Sequence, residues 1–146
     1  MKVTILLSTY NGEQFLAEQI KSIQEQTYKG WQLLIRDDGS TDGTRAVIED
    51  FCRKDDRIAF INRGNPQNLG VIQSFHSLLQ YQDSDFYLFS DQDDVWLPDK
   101  IAMQLAEADK YDSSQPLLVY TDLKVVDQEL QVVHESMISS QSDHAN

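Results

Sequence analysis

A chain of 146 residues with 40% apolar side chains is long enough to bury one core and too apolar to be disordered over most of its length. Its formal net charge of −12 repels phosphate backbones and anionic lipid headgroups, so direct nucleic-acid binding is disfavoured. An anionic substrate would need a divalent cation between its phosphates and the protein's carboxylates.

The elements follow in chain order. Val3 to Leu7 is a continuous apolar run, the mark of a strand buried on both faces. It is too short for a secretory signal, and no stretch of the sequence reaches the roughly 20 apolar residues of a membrane span. After Asn11-Gly12 the period turns helical, with Phe15, Leu16, Ile20 and Ile23 on one face. A second strand is predicted over Trp31 to Ile35. A helix follows through Ala46, Val47, Ile48 and Phe51, with Thr41 or Asp42 as its cap. Cys52, the single cysteine, falls in this helix as half-buried packing. One cysteine forms no intrachain disulfide and no cysteine zinc site, which fits a reducing cytoplasm.

Ile58 to Ile61 predicts a short third strand, Asn62 to Gly70 a loop, and Val71 to Leu79 a helix. The fourth strand is predicted over Phe86 to Phe89. Pro98 then opens a helix through Ile101, Leu105 and Ala108. Leu117 to Tyr120 predicts a fifth strand. Val125, Val126, Leu130, Val132 and Val133 suggest a strand pair around Asp127-Gln128-Glu129. Residues 136 to 146 are polar and uncapped, and read as a frayed tail. The histidines suggest no metal cluster: His76 falls in a helix as a structural or surface residue, and His134 and His144 in the weakly patterned end.

Strands alternating with helices predict an α/β fold, a Rossmann-like, mostly parallel sheet flanked by helices. Ligands of such sheets bind at the carboxyl ends of the strands, and the polar clusters fall there. Asp91-Gln92-Asp93-Asp94 follows the fourth strand, where its carboxylates suit Mg²⁺ or Mn²⁺; an acidic helix-capping turn is the structural alternative. Asp37-Asp38-Gly39-Ser40 follows the second, where an aspartate can accept from a nucleobase or ribose, or simply shape a turn. Ser8-Thr9-Tyr10-Asn11-Gly12 follows the first. The loop Asn65-Pro66-Gln67-Asn68-Leu69-Gly70 offers amides to a ligand. Asp122 follows the predicted fifth strand, as a donor-sugar neighbour or a turn carboxylate.

Taken together, VTILLSTYNGEQFLAEQIKSIQEQT, LLIRDDGSTDGT, NLGVIQSF and FYLFSDQDDVWLPDKI resemble glycosyltransferase family 2, over essentially the whole chain to about Asp127. The last segment is most similar to its bacterial rhamnosyltransferase branch. The resemblance implies a GT-A fold, with residues 1–128 as the nucleotide-sugar-binding domain and 129–146 as the start of an acceptor-side region. It implies an inverting transfer, with rhamnose from dTDP-rhamnose as one donor, to a glycan or lipid-linked acceptor of cell-wall or capsular polysaccharide. The place implied is the cytoplasm or the inner membrane face. Asp91-Gln92-Asp93 then matches the DxD motif, with Asp93 on the Mn²⁺ or Mg²⁺ and Asp91 on the ribose or the metal's water shell. Asp38 would read a uracil or thymine ring, Thr9 would line the base pocket with Tyr10 packed nearby, and Asn68 and Gly70 would border the nucleotide. Asp94 and Trp96 would shape the sugar pocket. The catalytic base would come from the acceptor side, with Asp122 as the candidate within this sequence.

Two other readings are open. A haloacid-dehalogenase-type phosphatase also carries closely spaced aspartates after an apolar strand, with the first as nucleophile, but it would place them on its first strand. A nucleotide-binding module without turnover would keep the donor site alone.

Overall fold

In the computed structural model, residues 1–112, 114–119, 125–126 and 132–134 are described. The chain divides into two compact units, Met1–Ile101 and Ala102–Asn146.

The first unit is built on a four-stranded, all-parallel sheet in the order β3-β2-β1-β4. The strands are β1 (Val3–Thr9), β2 (Trp31–Asp37), β3 (Ile58–Phe60) and β4 (Phe86–Asp91). The helices between them are α1 (Leu16–Gln24), α2 (Thr44–Lys54) and α3 (Val71–Tyr81); α4 (Lys100–Ala108) begins at the end of the unit. Both central strands are buried along nearly their whole length, as their unbroken apolar runs demand.

Pleating sends alternate residues to opposite faces. Leu6 and Leu34 pack with Leu78 of α3, joined by Phe75, Leu79, Tyr87 and Ala59. Ile5, Leu7, Leu33 and Ile35 therefore face the other way, and all are fully buried. That second face belongs to α1 and α2. Gln19 of α1 hydrogen-bonds Ser90 of β4, Arg45 of α2 reaches Asp37 of β2, and the apolar stripe Leu16, Ile20, Ile23 and Ile48 is fully buried. Helices thus cover both faces of the sheet, as the βαβ pattern predicted. The Cys52 thiol is half-buried in α2, and burial pushes its pKa up, in keeping with a packing role.

Two helix starts differ from the predicted ones. The cap of α2 is Gly43, although the Asp42 carboxylate still accepts from the Thr44 amide at 3.0 Å. The start of α4 lies two residues past Pro98, because Gln26 braces the entry: its Nε2 donates to the Leu97 carbonyl and its Oε1 accepts from the Ile101 amide.

In the second unit α4 leads into a turn at Asp112, whose carboxylate accepts from Ser114. The predicted fifth strand is not formed over Leu117 to Val119. That run has no strand partner among the described residues, and Leu118 is 82% exposed. β5 (Val125–Val126) and β6 (Val132–His134) pair antiparallel, in keeping with the strand pair expected there. Asp122 and His144 lie outside the described residues.

Candidate functional site

The register of the sheet puts the polar clusters on one edge. Ser8 pairs with Arg36 on one side and Asp91 on the other, and Thr9 pairs with Asp37. With neighbouring strands about 4.8 Å apart, the backbones at Asp37 and Asp91 stand roughly 10 Å apart across β1.

Asp37 and Asp38 point to different faces of the sheet. Asp37 belongs to the α2 side, and its side chain is fully buried. Its carboxylate accepts from Thr9 Oγ1 at 2.7 Å, from the Ser40 amide and hydroxyl at 2.9 and 2.6 Å, and from Arg45 at 3.2 Å. Asp38 belongs to the α3 side, on the same face as Arg36. The Arg36 guanidinium donates to Asp38 Oδ1 at 2.7 Å, to Ser74 Oγ at 3.0 Å and to the Gln67 carbonyl at 2.8 Å. The side chains of this ion pair are 5% and 6% exposed, so neither charge is left to water.

Asp38 also anchors the loop that precedes α3. Its Oδ1 accepts from the Leu69 amide at 2.7 Å and its Oδ2 from the Gly70 amide at 3.0 Å. Asn68 Nδ2 donates to the Asp38 carbonyl at 2.8 Å, and the Asp38 amide donates to the Thr9 carbonyl at 2.8 Å. Gly39 turns the chain with φ +85°, and a Cβ there would rest 3.4 Å from that of Asn68. Asn62 fastens the other end of the loop, with its side-chain amide bonded to both the amide and the carbonyl of Asp37.

The loop after β1 is held from two sides. Asn11 adopts φ +47°, a left-handed conformation that asparagine tolerates. Its side-chain oxygen accepts from the Thr41 amide at 2.8 Å, and its own amide donates to Ser40 Oγ at 2.8 Å. Toward β4, Gln92 bonds both backbone groups of Tyr10. The Tyr10 ring is half-exposed at the edge.

Asp91, Asp93 and Asp94 form the turn beyond β4. Asp91 and Asp93 are exposed, and the Asp94 carboxylate meets the Asp91 backbone and the charge of Lys100. Partial burial, then the neighbouring carboxylates of Asp91 and Asp93, push the Asp94 pKa upward. The turn thus gathers three carboxyl groups at the end of β4, with Lys100 acting on one of them. Among the described residues no group of three acidic, histidine or cysteine side chains is gathered for a metal. Hard carboxylate oxygens in ones and twos, completed by substrate phosphates, are nevertheless how Mg²⁺ and similar cations are held, so the donor set fits. Trp96 is buried and its amide donates to Ser22 Oγ, with Lys100 Nζ 5.3 Å from its ring centroid.

Residues 4–138 match the sequence profile described as Glycosyl transferase family 2. The chain belongs to glycosyltransferase family 2. Among curated relatives it is 35% identical over 104 residues to the *Escherichia coli* UDP-Glc:alpha-D-GlcNAc-diphosphoundecaprenol beta-1,3-glucosyltransferase WfgD, covering 71% of this chain and 40% of that protein. It is 38% identical over 98 residues to the *Shigella flexneri* dTDP-rhamnosyl transferase RfbG, covering 65% of this chain and 34% of the relative. Its fold is similar to that of the *Pyrobaculum calidifontis* mannosyltransferase PcManGT, solved in complex with GDP-Man and Mn²⁺. There the TM-score is 0.60 at 22% identity, over 75% of this chain and 31% of that one. The sheet and its flanking helices are those of a GT-A glycosyltransferase. This chain spans well under half the length of these relatives.

The edge gathers Thr9, Tyr10, Asp38, Asn68, Gly70, Asp91 and Asp93 at the ends of adjoining strands or in the loop bound to them. Sequence reasoning missed Arg36 and Gln92. The one signal for Arg36 is its position two residues before Asp38, which puts it on that residue's face.

Proposed function

We propose that this chain forms the donor side of an inverting, metal-dependent glycosyltransferase. It takes a UDP- or dTDP-linked sugar, with rhamnose one candidate, for transfer to a glycan or lipid-linked acceptor in surface-polysaccharide synthesis. The observation that carries this reading is the common edge. Asp38, held as an acceptor by Arg36 and two amides, and the acidic turn Asp91–Asp94 lie on either side of β1, roughly 10 Å apart by strand spacing. Names of relatives support the donor chemistry: one uses UDP-Glc with a diphosphoundecaprenol-linked acceptor, one is a dTDP-rhamnosyl transferase, and one was solved with Mn²⁺.

In this reading residues 1–128 bind the donor and 129–146 lead into the acceptor side. Asp38 presents only acceptor atoms, which suits the imide N–H of uracil or thymine and disfavours cytosine and adenine, whose ring nitrogen there is itself an acceptor. Thr9 and Tyr10 wall the base, Asn68 and Gly70 border the nucleotide, and Asp91 faces the ribose or the metal's waters. Asp93 with Asp91 would hold the cation. Mn²⁺ or Mg²⁺ bound there supplies positive charge that stabilises the departing diphosphate. A base on the acceptor side takes the proton of the acceptor hydroxyl, whose oxygen attacks the anomeric carbon opposite the diphosphate, inverting that centre as the old C–O bond breaks. The work would be done on the cytoplasmic side, where the chain could meet a lipid-linked acceptor. No helix among the described residues is long and apolar enough to cross a membrane.

The test is calorimetric titration with UDP, dTDP, CDP and ADP, with and without Mn²⁺, alongside hydrolysis of the matching sugar donors. Selective binding of UDP or dTDP, strengthened by Mn²⁺, is expected. Equal affinity for ADP and UDP would overturn the base assignment. Tight binding with no sugar release would reduce this chain to a nucleotide-binding module.

A further inference from the structure

Gln92 stands between the two aspartates of the acidic turn, yet its side chain bonds the neighbouring loop. Its Oε1 accepts from the Tyr10 amide at 2.8 Å, and its Nε2 donates to the Tyr10 carbonyl at 2.9 Å. The β1–β4 ladder ends at the pair Ser8 and Asp91. A side-chain amide therefore extends the pairing by imitating a peptide group opposite Tyr10. Gly12 supplies a second observation. A Cβ at this buried position would fall well inside contact distance of Gln92 Oε1. Gly12 is fixed in place, since its own amide donates to Thr44 Oγ1 at 2.9 Å. The residue at position 12 must be small for Gln92 to reach Tyr10.

We propose that Gln92 is a positioning residue that couples the nucleoside side of the site to its metal side. It clamps the Tyr10 backbone to the turn presenting Asp91 and Asp93. The inference rests on the nucleotide and metal reading above. Without the clamp, the loop after β1 keeps its bonds to Ser40, Thr41 and Thr44, so the nucleoside wall survives. The acidic turn, whose carboxylates repel one another, then moves independently of it. Seating the base no longer fixes the diphosphate relative to Asp91 and Asp93, and the mutual reinforcement of nucleotide and cation falls. Glutamate is no substitute: it keeps an acceptor for the Tyr10 amide but sets a carboxylate against the Tyr10 carbonyl.

The experiment uses the whole chain as wild type, Gln92→Ala, Gln92→Glu, Gly12→Ala and the double variant Gln92→Ala/Gly12→Ala. Hydrogen exchange of the Tyr10 amide is followed by NMR. Affinities for uridine, and for UDP with and without Mn²⁺, are measured in parallel. Gln92→Ala and Gly12→Ala are expected to speed Tyr10 exchange, and each single variant to cut the Mn²⁺-induced gain in UDP affinity about five- to tenfold, with uridine affinity held within about twofold. The double variant should be no worse than Gln92→Ala, because both changes break one clamp. Unchanged Tyr10 exchange in Gln92→Ala, equal losses for uridine and for UDP with Mn²⁺, or additive losses in the double variant would each overturn the coupling role. A wild-type chain that binds UDP equally well with and without Mn²⁺ would overturn the metal reading, and this inference with it.

Discussion

The β2 side and the β4 side of the edge are built in opposite ways. On the β2 side the carboxylates of Asp37 and Asp38 are 0% and 6% exposed, and every oxygen meets a donor from the protein. On the β4 side Asp91 and Asp93 are exposed, and partial burial with these neighbouring carboxylates raises the Asp94 pKa. The first arrangement is a buried hydrogen-bond network closed within the protein. The second leaves carboxylates open to solvent, an arrangement that a cation with its phosphates would complete. Removing a carboxylate from the two sides should therefore give different symptoms.

The largest effect is expected on the β2 side. Asp38→Ala strips the buried Arg36 guanidinium of its partner, which should destabilise the fold by about 3–5 kcal/mol in urea denaturation. Nucleoside affinity should drop with and without Mn²⁺. A loss confined to the Mn²⁺ titration would contradict the base-reading role of Asp38.

Next comes Asp93→Ala. UDP affinity in the presence of Mn²⁺ should fall about 100-fold, roughly 2.7 kcal/mol. Affinity without metal should stay the same, and Tm should move by less than about 2 °C, since this exposed side chain has no partner among the described residues. Chelation of the metal with EDTA should have the same effect on the wild type. Retention of the Mn²⁺ effect in the variant would defeat the metal assignment.

The smallest effect serves as a control away from the edge. Hydrogen bonding to Arg57 lowers the Asp55 pKa from 3.8 to about 2. A carboxylate depressed in the folded state stabilises the protein above its unfolded pKa, and that contribution drains away as the pH falls from about 4 to about 2. Asp55→Asn should cost about 1–2 kcal/mol at pH 7, allowing for the partial exposure of Arg57, and nothing near pH 2. Acid denaturation of both proteins checks this, and a pH-independent difference would contradict it.

The four strands of the sheet were legible because buried parallel strands are unbroken apolar runs and the helices between them keep a three-and-four spacing. The acidic clusters were legible as a site because topology gathers strand ends. Leu117 to Val119 shows the limit of that logic. An apolar run becomes a strand only with a neighbour to pair with, and its sequence does not name one. Arg36 illustrates another limit: a charged residue in a strand reads as solvent-facing until its partner is seen two positions on. Gln92 was hidden because its work is done on the backbone of Tyr10, which leaves no pattern in side-chain chemistry. Asp38 was singled out for a ligand, but its bonds to Leu69 and Gly70 depend on how a distant loop returns.

The division of Asp37 and Asp38 between the two helix layers has a consequence for how β2 tolerates change in length. Deleting or inserting one residue between Trp31 and Arg36 would transpose the acidic doublet, swinging Asp38 toward Arg45 and Arg36 away from Ser74, while also turning the strand's apolar residues inside out. A change of two residues preserves sidedness and costs only reach. The parity of this strand is thus dictated twice over, once by its oily stretch and once by its acidic end.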